Sequence, residues 1–250
     1  MGRGDGTNLD KAGYGYYWSS SLKEENTGNA YNLSFISDFV FLSSNSSRYF
    51  GYPVRPVKDA ATTKGTAKAT IGGSQVDVNW VQLWENGPKF AEYNVGAENS
   101  KAEDYGGYYN WGMSDVQTSS NFEDYKSGES PLTGDDDTAT KLWGSNWRMP
   151  TQDELQGLID NCNVEWTTVG GKDGRKFTGK GAYASNSVFL PAADYCYQGT
   201  VLEQIGSGNY WSSTPNGSSR AYCLYFDSGN RGFVSRERYY GYSVRAVLAE

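Results

Sequence analysis

The chain of 250 residues contains no histidine. That absence removes Ser-His-Asp and Cys-His catalysis, histidine-ligated zinc and the usual general base near neutral pH. Cysteine is scarce. Cys162, Cys196 and Cys223 are the only three, no pair has CxxC spacing, and an odd count gives no disulfide framework. Buried free thiols are the expected state, with a single bridge left open. No apolar run approaches the roughly 18 residues of a membrane span. The first residues, MGRGDGTN, lack an apolar h-region, so no signal peptide is expected in this chain. An excess of positive charge is missing too. The net charge is −7, whereas a nucleic-acid binder needs a basic stripe. Leu and Ile are few. The 31 Gly, 20 Tyr and 8 Trp suit a loop-rich, aromatic-cored fold with strands rather than a helical bundle.

The sequence carries an internal repeat. Residues 15–21 read GYYWSSS and residues 208–214 read GNYWSST. Ala30-Tyr31-x-Leu33-x-Phe35 follows the first, as Ala221-Tyr222-x-Leu224-x-Phe226 follows the second. Next come Arg48-Tyr49-x-Gly51-Tyr52-x-Val54-Arg55-x-Val57 and Arg238-Tyr239-x-Gly241-Tyr242-x-Val244-Arg245-x-Val247. Two copies so far apart do not make a solenoid.

Between the copies, VDVNWVQLW (76–84) and KFAEYNVGA (89–97) read as strands. Residues 58–74, rich in Lys, Ala, Thr and Gly, read as a linker or an edge. Asp135-Asp136-Asp137 lacks the alternation of a calcium loop and reads as a solvated loop. In WRMPTQDELQGLIDNCN (147–163), Thr151 and Glu154 form a capping box. Leu155, Leu158 and Ile159 then share one helical face, so this is an amphipathic helix that packs on a sheet. GRKFTGK (174–180) fits GxxxxGK, but Gly181 stands where a P-loop needs Ser or Thr, and a hairpin turn is the better reading. Arg3-Gly4-Asp5 reads as accidental, and Asn-x-Ser/Thr sites at Asn32, Asn45 and Asn216 carry no weight without a glycosylating compartment.

Strand side chains alternate between faces. The positions shared by the copies, Tyr31-Leu33-Phe35 and Tyr222-Leu224-Phe226, should therefore face a core. The opposite positions differ between copies, and the bracketed stretches ISDFVFLSSNSS and DSGNRGFVSRE have almost no identity. The C-terminal copy concentrates Tyr and Arg on the expected surface, the side chains that supply contact area and hydrogen bonds at modest entropy cost. The candidate ligand-binding residues are Ser218, Arg220, Cys223, Tyr225, Asp227, Asn230, Arg231, Phe233, Ser235, Arg236, Glu237, Tyr239 and Tyr240. Cys223, Tyr225 and Asp227 should be more exposed than Tyr222, Leu224 and Phe226. No catalytic residue, metal ligand or cofactor is expected.

GYYWSSS, NAYNLSF and RYFGYPVRPV, together with NVGAENSKAEDYGGYYNWG (94–112), WGSNWRMPTQDEL (143–155) and SVFLPAADY (187–195), resemble a known group. It is the C-type-lectin-like domain of Bacteroidetes surface proteins, whose relatives include the Fibrobacter major paralogous domain and formylglycine-generating-enzyme-like folds. The resemblance implies an α+β, C-type-lectin-like fold, loop-rich with small antiparallel sheets and one or two helices. It implies an isolated copy of the domain's C-terminal portion over 1–57, a linker over 58–74 and a complete domain over 75–250. Some members resemble variable proteins of diversity-generating retroelements, in which the stretch after YWSS changes on a fixed scaffold. That mechanism disfavours Lys, Glu, Gln, Met and Trp at varied sites. The outward residues of 221–236 avoid all five, and Glu237 departs.

The expected function is a ligand-binding or adhesion module, with an unknown protein or glycan as partner and a cell-surface or extracellular location. A structural or fimbrial assembly module is the alternative. A formylglycine-generating-type enzyme would need paired cysteines, to which Cys196 and Cys223 could be matched only by assumption. Similarity of fold does not carry such an activity.

Overall fold

A computed structural model describes residues 13–22, 28–56, 62–202 and 206–249 in full, and the backbone alone of 2–3, 8–9 and 42–45. Gly4 and Asp5 of the RGD tripeptide, and Val57 at the end of the first repeat copy, lie outside the described residues. The chain divides into two compact units, Met1–Ala61 and Thr62–Glu250.

The first unit holds strands β1 (Gly2–Arg3) and β2 (Asn8–Leu9), which pair with each other. It also holds an antiparallel sheet of β3 (Gly15–Leu22), β4 (Asn29–Phe35) and β5 (Val40–Ser47), with β4 in the centre. Aromatic residues such as Tyr16, Tyr17, Trp18, Tyr31 and Phe35 favour the extended backbone here. Tyr52 folds back over the sheet, its ring 4.8 Å from Tyr16 and 4.6 Å from Trp18. Within this unit the described residues cover the expected core face only in part. Tyr31 is 39% and Phe35 37% exposed, and only Leu33 between them is partly buried. Outside β4, Phe39, Val40, Phe41, Tyr49 and Val54 are more exposed still.

The second unit begins within the stretch read as a linker or an edge, and the edge is what forms there. β6 (Lys64–Ile71) pairs along its whole length with β7 (Ser74–Gln82). The turn between them is Gly72-Gly73, both with positive φ (58° and 82°), the two-residue hairpin geometry that glycine permits. β8 (Lys89–Ala91), β9 (Trp147–Arg148) and β18 (Val247–Leu248) complete a five-stranded sheet in the order β6-β7-β8-β18-β9. β10 (Asn163–Val169), β11 (Lys172–Thr178) and β12 (Ser187–Pro191) form a second sheet. GRKFTGK is therefore mostly the central strand of that sheet, and the hairpin turn lies before it, at Gly170-Gly171 (φ 56° and 81°). β13 (Cys196–Tyr197) pairs with β14 (Thr200–Val201). β15 (Gly208–Asn216), β16 (Arg220–Phe226) and β17 (Arg231–Glu237) form a three-stranded sheet with β16 central.

Two α-helices complete the unit. α1 (Thr138–Trp143) is capped by Asp137, whose carboxylate accepts from the Thr140 N–H at 2.9 Å and from the Met149 N–H at 2.9 and 3.0 Å. Asp137 is buried, so the acidic triplet is not wholly a solvated loop. α2 (Gln152–Asn161) starts with the anticipated capping box of Thr151 and Glu154, and buries Leu155 and Leu158. The unit is thus α+β: small antiparallel sheets, long connections and two short helices.

The β15–β17 sheet stands between two apolar clusters. One contains Trp111, Trp143, Trp147, Trp211, Ala221, Cys223 and Tyr242. The other contains Phe90, Leu155, Leu158, Phe177, Tyr210, Leu224 and Phe226. β16 feeds both, because its alternate side chains point to opposite faces.

Candidate functional site

The strand register sorts the candidate residues by face. Trp211, Cys223 and Val234 are cross-strand partners, and so are Tyr210, Leu224 and Phe233 on the other side. Cys223 is fully buried in the first cluster, which removes it from any surface; the expectation of an exposed Cys223 fails. The reason is physical. A strand sandwiched between two clusters buries both of its faces, so alternation does not tell inside from outside. Leu224 and Phe226 are also fully buried, while Tyr222, Tyr225 and Asp227 are partly exposed.

Arg220, Phe233, Ser235 and Glu237 lie on the face that α2 covers. Arg220 pairs with Glu237 at 3.1 Å and donates to the Ser235 carbonyl at 2.7 Å, while Asn216 donates to the Ser235 hydroxyl at 2.8 Å. Their polar groups are thus largely occupied within the sheet. Phe233 packs on the second cluster. Ser218 is exposed in the turn between β15 and β16.

At the opposite end of the sheet, Asp227 organises the turn into β17. Its carboxylate accepts from the N–H groups of Gly229 (2.7 Å) and Asn230 (2.6 Å) and from the Tyr225 hydroxyl (2.9 Å). Those bonds, the Asn230 N–H foremost, hold its carboxyl below the usual range. Burial and the same bond to Asp227 push the Tyr225 phenol up. Asn230 and Arg231 are exposed beside this turn. Arg175, itself buried, ties the turn to β11 by donating to the Asp227 carbonyl at 2.7 Å.

The remaining candidates meet on the other face of the sheet, with partners that the sequence reading did not include. Cys196 and Gly241 exchange backbone hydrogen bonds of 2.8 and 2.9 Å. Both point inward, where a Cβ on Gly241 would press on Cys196, Gln117 and Tyr108. Alternation then sends Tyr195 and Tyr197, with Tyr240 and Tyr242, to the opposite side. Their rings interlock: Tyr195 to Tyr240 at 5.6 Å, Tyr197 to Tyr240 at 5.5 Å, Tyr239 to Tyr240 at 4.9 Å and Tyr240 stacked on Tyr242 at 5.9 Å. Phe122 abuts Tyr197 at 5.9 Å. Tyr242 rests on the fully buried Trp211, 4.4 Å between centroids. The cluster therefore grades from core to surface: Tyr242 is buried, and Tyr195, Tyr197, Tyr239, Tyr240 and Phe122 are half-buried. Arg236 is exposed on the same side of the sheet, and its charge acts on Tyr242, Cys223 and Tyr225. Burial and the neighbouring Tyr239 push the Tyr240 phenol up, keeping it a hydrogen-bond donor at neutral pH. Tyr195, Tyr197 and Phe122 are the contributors that sequence reading missed. Tyr195-Cys196-Tyr197 mirrors Tyr240-Gly241-Tyr242, a large-small-large pattern that suits paired extended segments.

Two arginines of the repeat motif hold this arrangement from inside. Arg245 is fully buried; it donates to the Asn94 side chain (2.8 Å) and to the carbonyls of Ala91, Glu92 and Phe189. Burial pushes its guanidinium down to about 10, so it stays cationic at neutral pH. Arg238, also fully buried, lies over the Trp111 ring at 3.9 Å and donates to the carbonyls of Lys126, Gly128, Gly217 and Arg220. It thereby fixes the β15–β16 turn to the 126–128 loop.

A separate groove of about 660 Å³ runs between the β6–β8 and β10–β12 strands, lined by Lys64, Asn79, Glu92, Lys176, Val188 and Phe189 among others, and none of the candidate residues lines it. All three cysteines are free and buried. Burial pushes the Cys162 thiol up to about 11 and raises Cys196 and Cys223 as well, the reverse of what activates a nucleophilic thiolate. Among the described residues no group of three or more Cys, Asp or Glu side chains is placed as metal ligands would be. No helix among them is long and apolar enough to cross a membrane.

Residues 96–248 match the family described as the Lcl C-terminal domain. The matched stretch contains the whole tyrosine cluster and every candidate residue. No curated protein and no solved structure matches the chain.

Proposed function

The chain belongs to the Lcl C-terminal domain family, and from that premise we propose that its second unit is a ligand-binding module, with a C-type-lectin-like scaffold, that reads its ligand with the tyrosine cluster and Arg236. The observation that carries this reading is the graded cluster itself. Half-buried Tyr195, Tyr197, Tyr239 and Tyr240 rest on a buried Tyr242–Trp211 pair, so their rings are held before a ligand arrives. Rigid tyrosines give contact area and hydrogen-bonding hydroxyls at low entropy cost. A protein or a glycan ligand fits this chemistry. Tyr225, Asp227 and Asn230 extend the reading surface along the sheet, while Arg220, Arg231, Ser235 and Glu237 belong to the opposite face.

The module acts at a cell surface or outside the cell, in adhesion or recognition, and does no catalysis; the raised thiols favour that last point. The fixed frame of Arg238 and Arg245 around a sequence-divergent β16–β17 hairpin agrees with a scaffold of the Bacteroidetes variable-protein kind. A reverse-transcriptase gene and an Asn-rich near-copy of the final codons in the flanking DNA would support diversification. The experiment for the binding reading is an array of immobilised glycans and proteins probed with the full chain and with Tyr240→Ala. Signals that vanish in Tyr240→Ala, with an unchanged melting temperature, support it. Signals indifferent to Tyr240→Ala, Tyr195→Ala and Arg236→Ala together overturn it.

A second reading, an assembly module of a surface structure, is favoured by the exposed aromatic residues of the first unit.

A further inference from the structure

The sheet of the first unit bears a groove of about 830 Å³, lined among others by Tyr17, Trp18, Tyr31, Leu33, Phe35 and Arg55. Each of these has a counterpart in the second unit through the shared motif: Tyr210, Trp211, Tyr222, Leu224, Phe226 and Arg245. The registers agree as well. Gly15 pairs with Phe35 and Tyr17 with Leu33, as Gly208 pairs with Phe226 and Tyr210 with Leu224. In the second unit the Tyr210–Leu224–Phe226 face is filled by Leu155 and Leu158 of α2, with Phe177 and Leu190 beside them. In the first unit no helix occurs among the described residues, and the equivalent Phe35 is exposed. Tyr17, Leu33 and Phe35 thus repeat the lining of a helix seat with no helix among the described residues of this unit, whereas Trp18 corresponds to Trp211 of the other cluster.

We propose that this groove binds an amphipathic helix of the α2 kind, carried by another polypeptide. Its apolar residues would recur as Leu155, Leu158 and Ile159 do, at i, i+3 and i+4. Charge sets the rest of the partner's chemistry. α2 carries Asp153, Glu154 and Asp160 and no basic residue, and among the described lining residues of the groove Arg55 is the charged one. An acidic helix therefore complements the groove. The α2 of a second copy is not the occupant, because its Leu155 and Leu158 are already fully buried on its own sheet.

The probe is a synthetic peptide of residues 149–162, held helical by a lactam bridge on its polar face, since so short a helix is marginal alone. It is titrated into the full-length chain with nitrogen-15-labelled tryptophan side chains. Trp18, the one tryptophan of residues 1–61, reports through its indole N–H, which donates to the Phe50 carbonyl at 3.2 Å. The expected result is a saturable shift of the Trp18 signal, weakened at least about tenfold by Arg55→Glu and abolished by Leu33→Asp. A peptide with Leu155→Asp and Leu158→Asp should leave the signal in place. If Leu33→Asp unfolds the first unit, Arg55→Glu decides alone. No saturable shift at about millimolar peptide, or a shift indifferent to Arg55→Glu, overturns the proposal. So does a chain that dimerises on its own and becomes monomeric with Leu33→Asp, because a second copy then fills the groove.

Discussion

In β3–β5 and in β15–β17 one strand pairing recurs. Gly15 faces Phe35 as Gly208 faces Phe226, and Trp18 faces Asn32 as Trp211 faces Cys223. Both first strands then shift register, between Trp18 and Leu22 and between Trp211 and Pro215. The shared residues have opposite fates. Phe226, Leu224 and Arg245 are fully buried, whereas Phe35 is 37% exposed and Arg55 is at the surface. The repeat therefore encodes a sheet and its register. Burial comes from what packs on that sheet: helix α2 and the β10–β12 strands on one face, the tryptophan cluster on the other. Local sequence is sufficient for pairing, and a nonlocal cover is needed to turn the sheet into a core.

Equal substitutions at paired positions test that separation, and the arginines should differ most. Arg245→Met removes the donor to Asn94, Ala91, Glu92 and Phe189, three of whose bonds to it are buried. The expected cost is about 3–5 kcal/mol. Arg55→Met should stay within about 0.5 kcal/mol, as for surface substitutions generally. Urea unfolding followed by tryptophan fluorescence measures both. Similar losses at the two positions would break the comparison.

Leucine should come next. Leu224→Ala opens a cavity among Leu155, Leu158 and Phe177, at about 2–5 kcal/mol. Leu33 is only partly buried, so Leu33→Ala should cost about 1 kcal/mol or less. Native-state hydrogen exchange of the β4 and β16 amides would report each sheet separately.

The glycines give a sharper contrast, because the steric conflict is the same in both. A Cβ on Gly15 would overlap the Phe35 ring, and one on Gly208 the Phe226 ring. Phe226 is fully buried and cannot yield, so Gly208→Ala should cost about 1–3 kcal/mol. Phe35 can rotate into solvent, and Gly15→Ala should cost under about 0.5 kcal/mol. A Gly15→Ala variant as unstable as Gly208→Ala would mean that Phe35 is held by a cover.

Much of this molecule can be read from particular residues. The capping box placed the start of α2 because Thr151 and Glu154 satisfy orphan N–H groups locally. The alternation in β7 was equally local. The β6–β7 hairpin was legible only as the edge half of a linker-or-edge reading of 58–74, although Gly72-Gly73 between two alternating runs is a strong turn signal. Gly170-Gly171 before β11 carried the same signal. The face of Cys223 could not be read, since both sides of β16 are covered by segments distant in sequence. The tyrosine cluster was half legible. Tyr239 and Tyr240 stood in the repeat, while Tyr195 and Tyr197 join them only through the Cys196–Gly241 pairing.

The smallest expected difference is a pH effect that belongs to the second unit alone. Glu154 is half-buried in the α2 capping box, where Arg148 donates to it at 2.6 and 2.7 Å and the Thr151 N–H at 2.8 Å. Burial by itself would raise its carboxyl, but the Arg148 and Thr151 hydrogen bonds outweigh it and hold the group below its ordinary value. A carboxyl depressed by folding stabilises the fold above its unfolded value and loses that contribution as pH falls through its folded one. Asp137 works in the opposite sense. Burial raises it despite its bonds to backbone N–H groups, so its contribution is complete at low pH and fades as pH rises through its folded value. Glu154→Gln keeps a side-chain acceptor in the capping box but removes the titration and the ion pair. It should cost about 1 kcal/mol at neutral pH and progressively less as the pH falls from the ordinary glutamate range through the lowered folded value, where the wild-type carboxyl takes up its proton. Urea midpoints of wild type and Glu154→Gln at pH 7, 5 and 3 should therefore converge toward acid, with β4 exchange rates unchanged by the substitution at every pH. Curves that stay parallel would show that Glu154 acts through helix propensity rather than through its charge.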